Sequence, residues 1–320
     1  MTPVSLVLAA VLALPLPAVG AQSASVGHWH DTVGDIGRRY GHVAVGLRDG
    51  RVLVAGGLDD TRHGVLSSTA LFDPSRGVTP AAPMNAARYR PATALLGDGS
   101  VLVTGGEGGD RSADRYFPAL DRWIPMPSMA TPRWGHSATV LRDGRVLVAG
   151  GVHVAGCCEY TAHAQTEIYN PISNAWTAGP TMRTARYSHT ATLLDDGRVL
   201  VVGGNGGAPG GQMASAEIFD PGRGAWNAAP DMSVARAGHT ATAWADGKVL
   251  VAGGLFRYSD PLPTAEIYDP ETGSWDEAIS MKAPRYLHTA TLLTDGQRVA
   301  LIGGWNRQTG ATGDIAIYQR

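Results

Sequence analysis

The sequence predicts an all-β fold built from six copies of one unit, each a sheet of four short antiparallel strands. Three observations carry that prediction. The pair Gly-Gly closes an apolar run six times, at 56–57, 105–106, 150–151, 203–204, 253–254 and 303–304, with second glycines 49, 45, 53, 50 and 50 residues apart. An Asp-Gly pair stands ahead of each, with Asp49, Asp98, Asp143, Asp196 and Asp246 eight residues before the second glycine and Asp295 nine before. Composition agrees: 42 of 320 residues are glycine, about twice the usual ~7%, while Gly plus Pro stays below the ~25–30% of disordered chains. With 44% hydrophobic residues the chain can bury a core. A net charge of −2 excludes a sequence-wide pull toward nucleic acid or anionic membranes.

Taken in chain order, residues 4–19 form an apolar run broken by Pro15 and Pro17 and followed by Gly20-Ala21. This reads as a secretory leader over 1–21, followed by a single domain over 22–320, exported to the periplasm or outside the cell. No Lys or Arg precedes the run. No later stretch reaches the ~18 apolar residues of a membrane span. Within each unit, Asp-Gly between apolar runs marks a hairpin, since the tight turn needs a positive φ. A third strand ends in an aromatic, as in Phe72-Asp73-Pro74, Tyr169-Asn170-Pro171, Phe219-Asp220-Pro221 and Tyr268-Asp269-Pro270. A fourth carries Trp123, Trp176, Trp226 or Trp275, with Met six, Arg ten and His thirteen residues later. Val78 takes the Trp place in the first copy, and Pro91 the His place that follows it.

The last copy stops after its third strand, 315–318, while Trp29 stands ten before Arg39 and thirteen before His42. The N-terminal segment therefore supplies the missing strand and closes the last unit, which removes an exposed edge. The double glycine, the following aromatic and the later Trp resemble the kelch repeat, over essentially all of the chain after the leader. That resemblance implies a six-bladed β-propeller around a central channel. The physics agrees, because one four-stranded sheet cannot bury both faces alone and six in a ring can.

From Trp (or Val78) to second glycine the spacing is 28 residues in five copies and 29 in the sixth, so length varies mainly in the loop from second to third strand. That loop and the connector into the next blade share one mouth of the channel, where binding residues are expected. The connector carries Arg39-Tyr40, Arg88-Tyr89, Arg133-Trp134, Arg186-Tyr187, Arg236-Ala237 and Arg285-Tyr286. These arginines and aromatics either grip an acidic peptide or sugar carboxylate, or tie neighbouring blades together. His42, His136, His189, His239 and His288 read as blade-to-blade hydrogen-bonding residues. Among the residues after each glycine pair, Glu107, Asn205 and Trp305 are the ligand-binding candidates, because they differ from blade to blade. The longest variable loop holds the two cysteines, Cys157 and Cys158, a disulfide candidate in an oxidising compartment. Their spacing matches no recognised zinc site.

Propellers host binders and enzymes alike. The sequence points first to an exported module that binds a protein or glycan, is monomeric, and needs neither metal nor cofactor. The alternative is a carbohydrate-active enzyme such as a mutarotase or epimerase, using an arginine with Glu107 in the channel, as resemblance to the bacterial sialic acid mutarotase suggests. Galactose oxidase also resembles this chain, but its copper-binding Tyr-His dipeptide falls at Leu287-His288 or Ser188-His189, and no Tyr-His pair exists in the chain. No Gly-x-Ser-x-Gly elbow, phosphate loop or His-Glu-x-x-His appears.

Overall fold

The computed structural model describes residues 28–31, 36–59, 64–155, 159–206, 211–257, 260–293 and 295–319. The expected leader and the Cys157–Cys158 pair lie outside the described residues. Those residues form a six-bladed β-propeller with four antiparallel strands in each blade. Blades 1 to 5 span 43–81, 92–126, 137–178, 190–229 and 240–278. Blade 6 consists of Thr289–Leu292, Arg298–Ile302 and Ile315–Gln319, completed on its outside by His28–Asp31, with Trp29 opposite Tyr318. The first strands of neighbouring blades pack against one another all round the channel.

Each first hairpin turns through a three-residue loop whose glycine holds φ between 80° and 88° in blades 1 to 5. Asp49 shows why aspartate precedes it, since its carboxylate accepts the Arg51 amide at 3.1 Å. In blades 1 to 5 the second strands, such as Val199–Val202, are buried at every position instead of alternating, because neighbouring blades cover both faces. Six apolar clusters result, one at each joint between blades; Leu200, Val202 and Ile218 of blade 4, for example, pack on Val249, Val251 and Tyr268 of blade 5. Outer edges are tied too: the Trp226 indole donates to the Pro180 carbonyl of the preceding connector at 2.9 Å. Four second-to-third loops fold into small hairpins of their own, the longest pairing Val152–Ala155 with Glu159–Ala162 in blade 3. Repeat spacing alone does not reveal these, because their lengths and residues differ.

The glycine pairs and arginines join the blades. The carbonyl of Arg133 accepts the Gly106 amide of blade 2 at 3.0 Å, while its guanidinium donates to the Gly150 carbonyl of blade 3 at 2.6 Å. The same double attachment recurs at all six joints. A β-carbon on Gly150 would fall 2.4 Å from the Arg186 carbonyl, so only glycine fits there. In blades 2 to 5 the guanidinium also meets a buried carboxylate: Asp114, Glu167, Glu217 and Glu266, at 2.6–2.9 Å. Ala70 and Ala316 hold the equivalent place in blades 1 and 6, and Arg39 turns to the Ser68 hydroxyl at 3.3 Å. The glutamates do a second job, as Glu217 also accepts the Arg183 and Thr184 amides.

The histidines reach back across the joints. His42, His189, His239 and His288 bond through Nε2 to Thr289, Ser137, Thr190 and Thr240 of the preceding blade. His136 uses Thr104 at 2.8 Å, the residue directly opposite Ala92, so a cross-strand neighbour supplies the hydroxyl that Ala92 lacks. At the one joint where Pro91 replaces the histidine, blade 1 offers Val43 opposite Ala55 and no hydroxyl. Burial, and next the nearby arginine, hold His42 and His189 down to about 3, far under the ordinary histidine value.

Two outcomes follow from these joints. Replacing Glu217 by Ala strands a buried guanidinium and two amides, and should cost about 3–5 kcal/mol in denaturant unfolding; a loss under about 1 kcal/mol would contradict the joint described. His42 and His189 bind protons only when unfolded between about pH 6.5 and 3, and the other three joint histidines are lowered in the same direction, so the unfolded state holds more protons there and stability rises with pH. Thermal midpoints should fall as pH drops from 7 to 4, and His189→Gln should flatten that slope. A flat profile above pH 5 would count against neutral histidines.

Candidate functional site

At the mouth shared by the connectors, the residue just before each His (or Pro91) takes a left-handed backbone. These are Gly41, Arg90, Gly135, Ser188, Gly238 and Leu287, with φ from 52° to 63°. Their amides and carbonyls bond head to tail around the channel, Arg90 N to Gly41 O, Gly135 N to Arg90 O, and so on to Gly41 N on Leu287 O, at 2.6–2.9 Å. The closed belt encircles a cavity of about 110 Å³, which the five histidines and Pro91 also line. Glycine alternates with a side-chain-bearing residue. A β-carbon on Gly41 would meet the Tyr89 ring at 2.3 Å, and one on Gly238 would meet Leu287 at 3.0 Å. Each side chain thus occupies space that its glycine neighbour leaves.

One residue earlier stands a tier of half-buried aromatics, Tyr40, Tyr89, Trp134, Tyr187 and Tyr286, interrupted by Ala237 in blade 5. Each forms a backbone bridge to the residue after its blade's glycine pair, including Tyr89 with Glu107, Tyr187 with Asn205 and Tyr286 with Trp305. Tyr40–Tyr89, Trp134–Tyr187 and Tyr286–Trp305 meet edge to face with centroids 5.5–5.8 Å apart. Into this tier rises Arg90, its guanidinium carbon 4.8 Å from the Trp134 ring centre and 5.9 and 5.8 Å from those of Tyr89 and Tyr187. Such packing is the cation–π geometry. Among the described residues no carboxylate pairs with Arg90. Burial raises the Tyr89 phenol well above its ordinary value, so it is neutral beside that cation.

The sequence-derived candidates divide between two places. Arg39, Arg88, Arg133, Arg186 and Arg285 lie buried in the joints, where scaffold carbonyls bond their terminal Nη atoms. Trp134, Tyr187 and Tyr286 stand at the mouth, flanked by exposed Glu107 and half-buried Asn205 and Trp305. The long blade 3 hairpin leans in beside them, with Tyr160, 54% exposed, against Trp134 at 6.2 Å. Arg90, Ser188 and Leu287 are not among the sequence-derived candidates. Their signal was one column of the repeat, directly before the histidines, where three glycines alternate with three unlike residues. For a metal, no three His, Cys, Asp or Glu side chains converge among the described residues. His189 and His288, at the positions compared with the copper dipeptide, are buried and bonded through Nε2 to the Ser137 and Thr240 hydroxyls.

The Kelch motif family matches residues 186–233 and 235–282. Galactose oxidase of Gibberella zeae is 28% identical over 167 residues, covering 50% of this chain and 24% of that protein. Kelch-like protein 33 of Homo sapiens is 33% identical over 118 residues, covering 35% of this chain and 22% of that one. The chain thus matches only about a quarter of the length of these curated relatives. The solved structure of YjhT superposes with a TM-score of 0.74 over 89% of this chain and 99% of that one, at 16% identity, and speaks for the fold alone. With the register of the two matched repeats continued through every blade, the chain is a kelch-repeat β-propeller.

Proposed function

We propose that this propeller is an exported binding module that takes a protein or glycan ligand at the aromatic mouth of its channel. The observation that carries the reading is Arg90, a cation packed on Trp134 and flanked by Tyr89 and Tyr187, with no carboxylate partner among the described residues. Half-buried aromatics and an arginine are the side chains that dominate binding energy at recognition surfaces. The joints use the repeated residues, whereas the residues after the glycine pairs and the alternate places of the belt vary, as a recognition surface needs. Kelch relatives such as Kelch-like protein 33 favour a protein partner in general terms. The apolar run over 4–19 supports action outside the cytoplasm.

A second reading, a carbohydrate-active enzyme, is favoured by one placement. Exposed Glu107 is bridged to Tyr89, which adjoins Arg90, so a carboxylate and a cation flank the same opening. Galactose oxidase similarity is compatible with a sugar ligand but covers only part of either chain. Glycan profiling and pull-down against exported proteins should yield a partner whose affinity falls about tenfold or more in Trp134→Ala and Tyr187→Ala, a loss of ~1.4 kcal/mol. A partner indifferent to both substitutions would contradict binding at this mouth. Sugar anomer exchange by the purified protein, abolished in Glu107→Gln, would select the enzyme reading instead.

A further inference from the structure

Resting on the mouth as the binding surface, we infer that Arg90, Ser188 and the bare face of Gly135 form a cradle for one carboxylate, with Leu287 as its apolar wall. The three non-glycine residues of the belt come from alternate blades, 2, 4 and 6, and their side chains are a cation, a hydroxyl and an apolar group. All three hold left-handed φ values of 55°, 55° and 52°, a conformation costly for residues with a β-carbon. Glycine occupies the other three places at no such cost, so the scaffold itself does not require these side chains. Strain of this kind gathers at ligand sites.

The polar groups converge. Ser188 is only 7% exposed, and among the described residues neither its Oγ nor the buried Nε of Arg90 has a hydrogen-bond partner. Where a β-carbon would begin on Gly135, Ser188 Oγ is 3.2 Å away and Arg90 Nη2 is 3.6 Å away. Both groups therefore border the bare face of Gly135, where the missing side chain leaves room for a ligand oxygen to approach between them. Trp134 takes the face of that guanidinium, leaving the N–H edge, which suits a planar two-oxygen anion. Charge argues for a monoanion. The other titratable groups here are the neutral buried histidines, the phenols of Tyr40, Tyr89, Tyr187 and Tyr286, and Glu107, whose carboxylate is exposed, so one cation faces the cavity and balances one negative charge. A cavity of about 110 Å³ admits a two- or three-carbon acid, or the carboxylate end of a larger ligand. Leu287 lines the same cavity and suits the attached carbon.

The test uses the full chain, with propionate, propionamide and inorganic phosphate titrated against backbone amide shifts around Gly135. Propionate should shift those signals saturably, and propionamide should bind at least about tenfold more weakly, as loss of a charge-assisted pair implies. Arg90→Gly should weaken propionate at least about tenfold while leaving the melting temperature equal or higher, because glycine is native at the equivalent place in blades 1, 3 and 5. Ser188→Gly should weaken it less. D-Glucuronate and an acidic dipeptide, compared with propionate, identify the natural source of the carboxylate; tighter binding of either, lost in Arg90→Gly, supports the cradle. Equal binding of acid and amide, tighter binding of phosphate, no response to propionate, or wild-type affinity in Arg90→Gly overturns it. A partner that needs Trp134 and Tyr187 but ignores Arg90→Gly would keep the mouth as a binding surface and remove the cradle.

Discussion

One arginine per joint holds this ring together, and it does so from both ends of the residue. Its carbonyl takes the second-glycine amide of one blade, and its guanidinium takes the first-glycine carbonyl of the next. The attachment works only because the glycines lack β-carbons and turn through positive φ, bringing their backbone groups inside a joint otherwise filled with apolar side chains. Buried guanidinium groups are expensive unless fully bonded. Here carbonyls, and in four blades a carboxylate, bond the terminal nitrogens and offset much of that cost. Blade spacing, burial of the second strands and the position of every connector depend on this contact.

Consistency between distant residues shows how tightly the joints are specified. Five histidines meet five hydroxyls, and the joint that lacks the histidine lacks the hydroxyl as well. Thr104 appears where Ala92 has no hydroxyl to give. Asp114, one carbon shorter than its glutamate counterparts, is reached by the Asn85 side chain at 2.9 Å. Such substitutions preserve each hydrogen bond while changing the residue that makes it, which is how buried polar groups stay satisfied. Because the joints absorb the repeated polar residues, variation at the mouth falls on the places after the glycine pairs and on Arg90, Ser188 and Leu287.

Most of the fold was legible in the sequence because repetition makes register visible. Gly-Gly, Asp-Gly, Trp and Arg recur at fixed intervals, and the place of Trp29 ahead of Arg39 anticipates the pairing of His28–Asp31 with the last blade. The site was less legible for the same reason. Arg88 and Arg90 are two residues apart, yet one lies sealed in a joint and the other rises among aromatics. Nothing in composition separates them; only the backbone turn at φ 55° does. The alternation of Gly41, Arg90, Gly135, Ser188, Gly238 and Leu287 was present in the register, but its meaning needed the closed belt of hydrogen bonds. The small hairpins above blades 1, 3, 5 and 6 left no shared pattern to find.

Native-state hydrogen exchange offers the most direct test of the arginine joints. If they hold the ring, the amides of Gly106, Gly151, Gly204 and Gly254, each bonded to an arginine carbonyl across a joint, should exchange only through global unfolding, together with the buried second strands. Exchange of those glycine amides at rates typical of surface loops, while the second strands stay protected, would contradict the account.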